Sequence, residues 1–84
     1  MKTITVRYFA SIREAVGAGH ETLHTQAATL GALRDDLIAR GGPWAASLGH
    51  GRALRMALDQ VMADANAPLP DGAEAAFFPP VTGG

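Results

Sequence analysis

The sequence predicts an α+β fold in which a mixed β-sheet is covered on one face by one main helix. Residues 3–9 alternate polar and apolar side chains, and residues 53–58 and 73–78 alternate in the same way. Between them, residues 30–38 repeat leucines at the spacing of a helix face. The predicted order is strand, strand, helix, strand, short strand, strand, which leaves the long helix to cover one face of the sheet.

Length and composition limit the functions that the chain can have. Its 84 residues, 48% of them apolar, suffice for one domain with its own core, and with no cysteine neither disulfides nor thiolate metal sites are expected. The formal charge of −1 comes from scattered residues, so we expect neither nucleic acid nor a membrane surface as a partner. No apolar run has the length of a signal peptide or a membrane span, and we expect a cytoplasmic protein.

The first strand, residues 3–9, has two distinct faces. Ile4, Val6 and Tyr8 share the face expected to turn inward, and Phe9 falls on the opposite face. The strand is therefore predicted to be half-buried, with an aromatic side chain on its outer side.

A short helix is predicted directly after this strand. Ser11 and Glu14 have the spacing of a capping box, in which each side chain accepts a hydrogen bond from the backbone N–H of the other. The helix is expected to end at Gly17 or Gly19, because glycine adopts the left-handed conformation that closes helices. A weaker second strand is predicted at residues 20–25.

The main helix is predicted to begin near Thr29, whose hydroxyl suits an N-cap. Its apolar face is formed by three leucines at helical spacing: Leu30, Leu33 and Leu37. Residues 41–43, Gly-Gly-Pro, are expected to end the helix, since glycine supplies a cap and proline cannot continue the hydrogen-bond ladder. One further helical turn is predicted at residues 44–48.

The second half of the chain contains the remaining strands. Leu54, Met56 and Leu58 are expected to point inward, and Val61 and Met62 to belong to a short edge strand. A turn around Asp71-Gly72 should precede the last strand.

The last strand, residues 73–78, is expected to turn Ala75 and Phe77 into the core and Glu74, Ala76 and Phe78 outward. Phe78 and the outward Phe9 suggest an apolar patch that awaits a partner. The alternative is that both are scattered exposed apolar residues, which are common on soluble proteins.

The end of the chain, FFPPVTGG, is predicted to leave the sheet as an extended tail at residues 79–84, outside a folded domain of residues 1–78. Pro79 and Pro80 have no backbone N–H to pair in a sheet, and each holds the residue before it in an extended conformation. The six residues can reach roughly 20 Å.

Small residues occupy the rest of this tail. Val81 and Thr82 offer a small shape that a groove can recognise, and Gly83 and Gly84 have no side chains. The final carboxylate can therefore enter a channel that is too narrow for a Cβ atom. The alternative is a frayed terminus that happens to end in glycine.

Three segments resemble the small, sulfur-carrier subunit of molybdopterin synthase. They are VRYFASIREAVG at residues 6–17, PLPDGAEAAFFPPVTGG at residues 68–84 and, more loosely, the helix TLGALRDDLIARGGPW. The resemblance implies a ubiquitin-like β-grasp fold in which the first and last strands are neighbours, so that Phe9 and Phe78 share one outer patch.

The resemblance also implies the chemistry of the tail. A ubiquitin-activating-like adenylyltransferase would convert the Gly84 carboxylate into an acyl-adenylate, and a sulfur donor would displace AMP to leave a nucleophilic thiocarboxylate. The large subunit, expected in a heterotetramer, would receive the tail and supply the catalytic groups. Sulfur would pass to a cyclic pyranopterin precursor in molybdenum cofactor biosynthesis. The chain by itself is thus expected to be a non-catalytic carrier that binds no cofactor beyond the transient AMP adduct, within a sulfurtransferase complex.

The resemblance assigns roles to individual residues. Gly84 carries the sulfur, Gly83 is its slender neighbour, and Phe9, Met62 and Phe78 contact the large subunit. Residues 79–82 extend that contact along the tail, so the partner-binding set is completed by Pro79, Pro80, Val81 and Thr82. Two positions depart from the family pattern, because Asp59 replaces an expected asparagine and Ala75 an expected valine.

Other functions remain open at this point. The chain is alternatively a ubiquitin-like modifier joined to lysines through Gly84, a sulfur carrier for thiamine or tRNA thiolation, or an interaction module with an inert tail. The histidines do not suggest a metal site, because His20 and His24 would lie about 13 Å apart along a strand and His50 has no companion ligand nearby in the sequence.

Overall fold

A computed structural model describes residues 1–80 and shows, within that range, a five-stranded sheet and three helices. The strands are β1 (Lys2–Tyr8), β2 (His20–Thr25), β3 (Arg55–Leu58), β4 (Val61–Ala63) and β5 (Glu74–Phe78). The helices are α1 (Ala10–Val16), α2 (Leu30–Ile38) and α3 (Gly42–Leu48). The predicted α+β class and the predicted order of strands are confirmed.

The sheet has the strand order β2-β1-β5-β3-β4 and is mixed. β1 and β5 are parallel neighbours in which Tyr8 pairs with Phe77 and Thr5 with Glu74, whereas the other pairs are antiparallel. The expectation that the first and last strands lie side by side is confirmed. β5, which leads to the C-terminal tail, is therefore hydrogen-bonded on both sides.

One core joins the inner face of the sheet to all three helices. The predicted inward residues of β1, the three leucines of α2 and the alternate residues of β5 are all buried in it. The largest side chains that are fully buried are Tyr8, Phe77, Ile4, Leu30, Leu33, Leu37, Leu48, Leu69 and Val6. Because the helices share this core, they cover one face of the sheet and leave the outer face open.

The predicted capping box at the start of α1 is wrong. The N-cap is Phe9, without a side-chain hydrogen bond, and Ser11 already lies inside the first turn. The backbone N–H groups of Ile12 and Arg13 donate instead to the carbonyl of Phe9, because the chain turns from β1 into the helix without an intervening loop. The predicted end at Gly17 is confirmed, with a left-handed φ of 80°.

The start of α2 is as predicted, but its end is not. The Thr29 hydroxyl accepts a hydrogen bond from the backbone N–H of Ala32 at 3.1 Å. The helix ends at Ile38, before the glycine pair, and Gly41 with φ 74° is the N-cap of α3. Pro43 thus stands in the first turn of a new helix, where its missing N–H costs nothing.

A hydrogen-bonded network ties α3 and the segment between α2 and α3 to the sheet. The buried Tyr8 hydroxyl donates to Glu21 Oε2 at 2.7 Å and accepts from Trp44 Nε1 at 3.2 Å. Arg40 donates to both oxygens of Glu21, and its guanidinium lies 5.1 Å from the centre of the Trp44 ring.

This network changes the ionisation of its members. Hydrogen bonding from Arg40, supported by Tyr8, lowers the pKa of the Glu21 carboxyl, although partial burial opposes that shift. Burial and the bond to Glu21 raise the pKa of Tyr8 above its usual range. Glu21 is therefore held as an anion and Tyr8 as the neutral phenol.

Candidate functional site

The strand that leads to the tail ends at one corner of the sheet. β5 ends at Phe78, and Pro79 and Pro80 follow it outside the sheet, both half-buried. The backbone N–H of Phe9 donates to the carbonyl of Phe77 at 3.1 Å, so β5 ends beside the start of α1. The predicted tail residues Val81, Thr82, Gly83 and Gly84 lie outside the described residues.

Phe9 and Phe78 form an aromatic patch on the outer face at this corner. Their ring centres are 5.8 Å apart and their planes are nearly perpendicular, at 89°, which is a favourable edge-to-face geometry. Phe9 remains 42% exposed, and the Arg7 guanidinium lies 5.9 Å from the centre of its ring. The two aromatic residues are thus brought together, in contact with one another and open to a partner.

A shallow outer groove of about 390 Å³ extends from the aromatic patch across the outer face of the sheet. Met62, on the edge strand β4, lines it and is 54% exposed. The structure therefore places Phe9, Phe78 and Met62 on one continuous surface. Its other lining residues are Arg7, Ala57, Gln60, Glu74 and Ala76, of which Glu74 and Ala76 were predicted to face outward.

Ala76 turns outward as predicted and lines the outer groove. It lies on the outer face but is only 9% exposed. Its register partners are Arg7 on β1 and Ala57 on β3, so the small methyl group lies in the middle of the sheet between two neighbouring strands. Period-two alternation identified the face of Ala76, whereas its burial depends on the order of the strands.

The turn between β3 and β4, which precedes Met62, is hydrogen-bonded to β5. Asp59 and Gln60 both have positive φ, 50° and 71°, as in the two-residue hairpin turns whose twist matches the strands. The Asp59 carboxylate accepts from the backbone N–H of Glu74 at 2.9 Å, and the Asp59 N–H donates to the Glu74 carbonyl at 2.8 Å. Aspartate therefore serves well at this position, where an asparagine was expected.

A cavity of about 340 Å³ at the base of the tail is lined by residues of α1, of α3 and of the segment before β3. Pro79 and Pro80 form part of its wall, and Arg52 lines it. We call it the tail-base cavity; its remaining wall consists of Ser11, Ile12, Ala15, Ser47, Ala53 and Leu54. The Arg52 Nε–H donates to the carbonyl of Ala46 at 2.9 Å.

The histidines are involved in other contacts. His24 Nδ1 lies 3.1 Å from the Thr3 hydroxyl, and His50 Nε2 lies 2.6 Å from Asp35 Oδ1, a companion that the sequence did not suggest. Among residues 1–80 no group of three histidine, cysteine or acidic side chains is arranged to hold a metal ion. Nor does this part of the chain contain a helix with the length and apolar character needed to cross a membrane.

Comparison with known proteins places these features in context. The model of the ThiS family matches residues 6–84. The chain is 42% identical over 81 residues to the molybdopterin synthase sulfur carrier subunit of Escherichia coli, covering 96% of this chain and 99% of that protein.

Two solved structures have the same fold. Small archaeal modifier protein 1 of H. volcanii matches with a TM-score of 0.79 at 22% identity, covering 96% of this chain and all of that one, and supports the fold alone. A Helicobacter pylori structure, a complex of subunits 1 and 2 of molybdopterin-converting factor, matches with a TM-score of 0.67 at 29% identity, covering 98% and 99% of the two chains. The expected ubiquitin-like β-grasp fold is confirmed.

Proposed function

The chain belongs to the ThiS family, among the molybdopterin synthase sulfur carrier subunits, and on this premise we propose that it carries sulfur as a thiocarboxylate on Gly84. Its role in molybdenum cofactor biosynthesis is that of a non-catalytic small subunit, which works with a large subunit. Residues 1–78 serve as the folded body and residues 79–84 as the reactive tail.

The observation that supports this proposal best is the position at which β5 ends. The strand is paired on both sides, and it leads into Pro79 and Pro80 directly beside the exposed aromatic patch. A partner that binds the patch therefore receives the tail at a fixed point. The same strand, β5, thus carries Phe78 of the aromatic patch and leads into the tail.

The chemistry begins with a carboxylate, which is a poor acylating group. An adenylyltransferase of the ubiquitin-activating type transfers AMP from ATP to the Gly84 carboxylate and releases pyrophosphate. Sulfide-level sulfur from a donor then attacks the acyl carbon, and AMP leaves. The thiocarboxylate that results is a nucleophile formed on the backbone itself. Each chain carries one sulfur, so two chains serve each dithiolene formed on the cyclic pyranopterin precursor.

The large subunit is expected to bind the aromatic patch and the outer groove. Edge-to-face aromatic rings with an exposed methionine beside them have the composition of an interface centre, and Arg7 stands at the margin. The large subunit then supplies the acid–base groups and the precursor site. By analogy with the Helicobacter pylori complex of subunits 1 and 2, we propose that the chain forms a complex with a large subunit. The heterotetramer and the cytoplasmic location that the family resemblance implies are part of the same proposal.

Intact mass spectrometry tests the loading step. The chain is incubated with an adenylyltransferase of this class, ATP and a sulfur donor, and we expect a gain of about 16 Da as oxygen is replaced by sulfur. A variant that lacks Gly84 should show no gain, whereas Thr22→Ala, an exposed change on β2, should load like the wild type. A wild type that never gains this mass contradicts the proposal.

The same experiment in a cell extract separates sulfur transfer from protein modification. If Gly84 is instead joined to lysines of other proteins, adducts heavier by the mass of the chain accumulate and disappear with the Gly84 deletion. Their formation without a thiocarboxylate would favour a ubiquitin-like modifier.

A further inference from the structure

The basic side chains of this chain are almost all arginines. Of its seven lysine and arginine residues only Lys2 is a lysine. This matters for a protein whose C-terminus is activated, because a lysine amine attacks an activated acyl group, whereas a guanidinium stays protonated and does not.

Lys2 lies at the end of the sheet opposite the tail. β1 and β5 run parallel, with Tyr8 beside Phe77, so Lys2 stands seven positions behind the level of Phe78. At the rise of a strand this is about 23 Å. The Lys2 Nζ also donates to the carbonyl of Ala27 at 2.7 Å, which holds the amine at that end.

The tail cannot easily bridge this distance by itself. Four residues follow Pro80, the last described residue, and an extended chain covers about 3.3 Å per residue, so Gly84 lies within about 13 Å of Pro80. Lys2 is beyond that limit, whereas everything that surrounds the base of the tail is inside it.

The basic residues inside this limit are arginines. Arg52 lines the tail-base cavity together with Pro79 and Pro80. Arg55 is the register partner of Phe78 and is exposed. A lysine at either position would place an amine within reach of the activated carboxyl group.

Attack by an amine of this chain on its own activated C-terminus needs no further reagent. An uncharged amine attacks the acyl carbon, the C–O bond to AMP breaks, AMP leaves as an anion, and the nitrogen gives up a proton to water. The product is an internal amide, and nothing is oxidised or reduced. Because the two groups share one chain, the amine acts at a high effective concentration.

We propose that Arg52 and Arg55 are specificity-determining residues: they occupy positions that the tail can reach, and as arginines they offer the activated Gly84 no amine. The acyl group then passes to the external sulfur donor and not to the chain itself. This proposal rests on the activation of Gly84 in the proposed function. It depends on which side chains the tail can reach and on whether those side chains are amines.

The test uses a chemically prepared thioester, which makes it independent of the adenylyltransferase. The chain is produced as an intein fusion and released by a thiol as the Gly84 thioester, in the wild type and in Arg52→Lys, Arg52→Gln and Arg55→Lys. Gln26→Lys is the matched control, because it adds an amine at the exposed end of β2 near Lys2. Intact mass at mildly alkaline pH separates the internal amide from the hydrolysed acid, which is about 18 Da heavier.

We expect the internal amide to form at least about tenfold faster in Arg52→Lys and Arg55→Lys than in the wild type, Arg52→Gln or Gln26→Lys. Peptide mapping should place the amide at the substituted position. Equal rates in all five proteins, or an amide on Lys2 in the wild type, would overturn the proposal. If the amide forms as expected but the enzyme never loads sulfur, the proposed function fails and the reach argument stands.

Discussion

Phe78 is the residue at which the fold and the docking surface meet. Its ring is half-buried against Phe9, so Phe78→Ala removes both the edge-to-face pair and the centre of the aromatic patch. We expect binding to the large subunit to weaken by about 2 kcal/mol, roughly 30-fold, as for the central residues of interfaces. Titration calorimetry measures the change. Thr22→Ala, at the other edge of the sheet, should bind normally; a folded Phe78→Ala variant of unchanged affinity contradicts the assignment.

Tyr8 matters for stability through its hydroxyl group. The side chain is 1% exposed, and Tyr8→Phe leaves the Trp44 N–H without the acceptor that it has in the structure. We expect the free energy of unfolding to fall by about 1–2 kcal/mol, the usual cost of an orphaned polar group. Urea unfolding measures it.

The matched control for Tyr8 is His50→Ala, which removes an exposed hydrogen-bonded pair with Asp35. Exposed pairs of this kind contribute little, so we expect a change below about 0.5 kcal/mol. An equal loss of unfolding free energy in both variants would show that the Tyr8 hydrogen bonds stabilise the fold no more than an exposed pair does.

At the scale of secondary structure, α1 and α2 begin in different ways, and a pair of substitutions distinguishes them. Thr29→Ala removes a hydroxyl that caps α2, and we expect a loss of about 1 kcal/mol in the free energy of unfolding. Ser11→Ala removes no cap, because Ser11 lies inside α1, and it should be neutral or stabilise slightly through higher helix propensity. Thermal unfolding of both variants tests this. A larger loss for Ser11→Ala than for Thr29→Ala would mean that Ser11 caps α1 as the sequence predicted.

Sequence patterns predicted elements well where a local interaction decides them. The cap at Thr29 and the closing turn at Gly17 depend on neighbouring backbone groups, and both were predicted. The start of α1 depends on the direction in which β1 delivers the chain, which the spacing of Ser11 and Glu14 does not encode. Likewise, the glycine pair at residues 41–42 signalled a break and a further helical turn was predicted at residues 44–48, but the pattern did not show that Gly42 and Pro43 already belong to α3.

The individual residues of the candidate site were predicted better than the extent of the surface that they form. Period-two alternation placed Phe9 and Phe78 on the outer face, and Met62 came from a family resemblance; the structure brings all three to one surface. Ala76 was predicted to face outward, but its burial and its pairing with Ala57 were missed, because they depend on β3 lying beside β5. The roles of Val81, Thr82, Gly83 and Gly84 stay predictions.

For the molecule as a whole, Glu21 links stability to pH. Its folded pKa lies below the unfolded value, so its stabilising contribution is complete above the unfolded pKa, about 4.3, and is lost as pH falls through the folded pKa. We therefore expect Glu21→Gln to be less stable than the wild type at pH 7 and the gap to close below about pH 4. Urea unfolding across this range measures it. A gap that widens in acid contradicts the sign.

The central claim is that the folded body delivers a sulfur atom held at its own C-terminus. A single-turnover experiment tests it most directly: the thiocarboxylated chain is mixed with the large subunit and the cyclic pyranopterin precursor, and intact mass is followed together with product. We expect the mass gain of about 16 Da to disappear as product forms, with two chains consumed for each dithiolene. Product that forms while the chain keeps its sulfur, or equally well with a chain that lacks Gly84, would contradict the account.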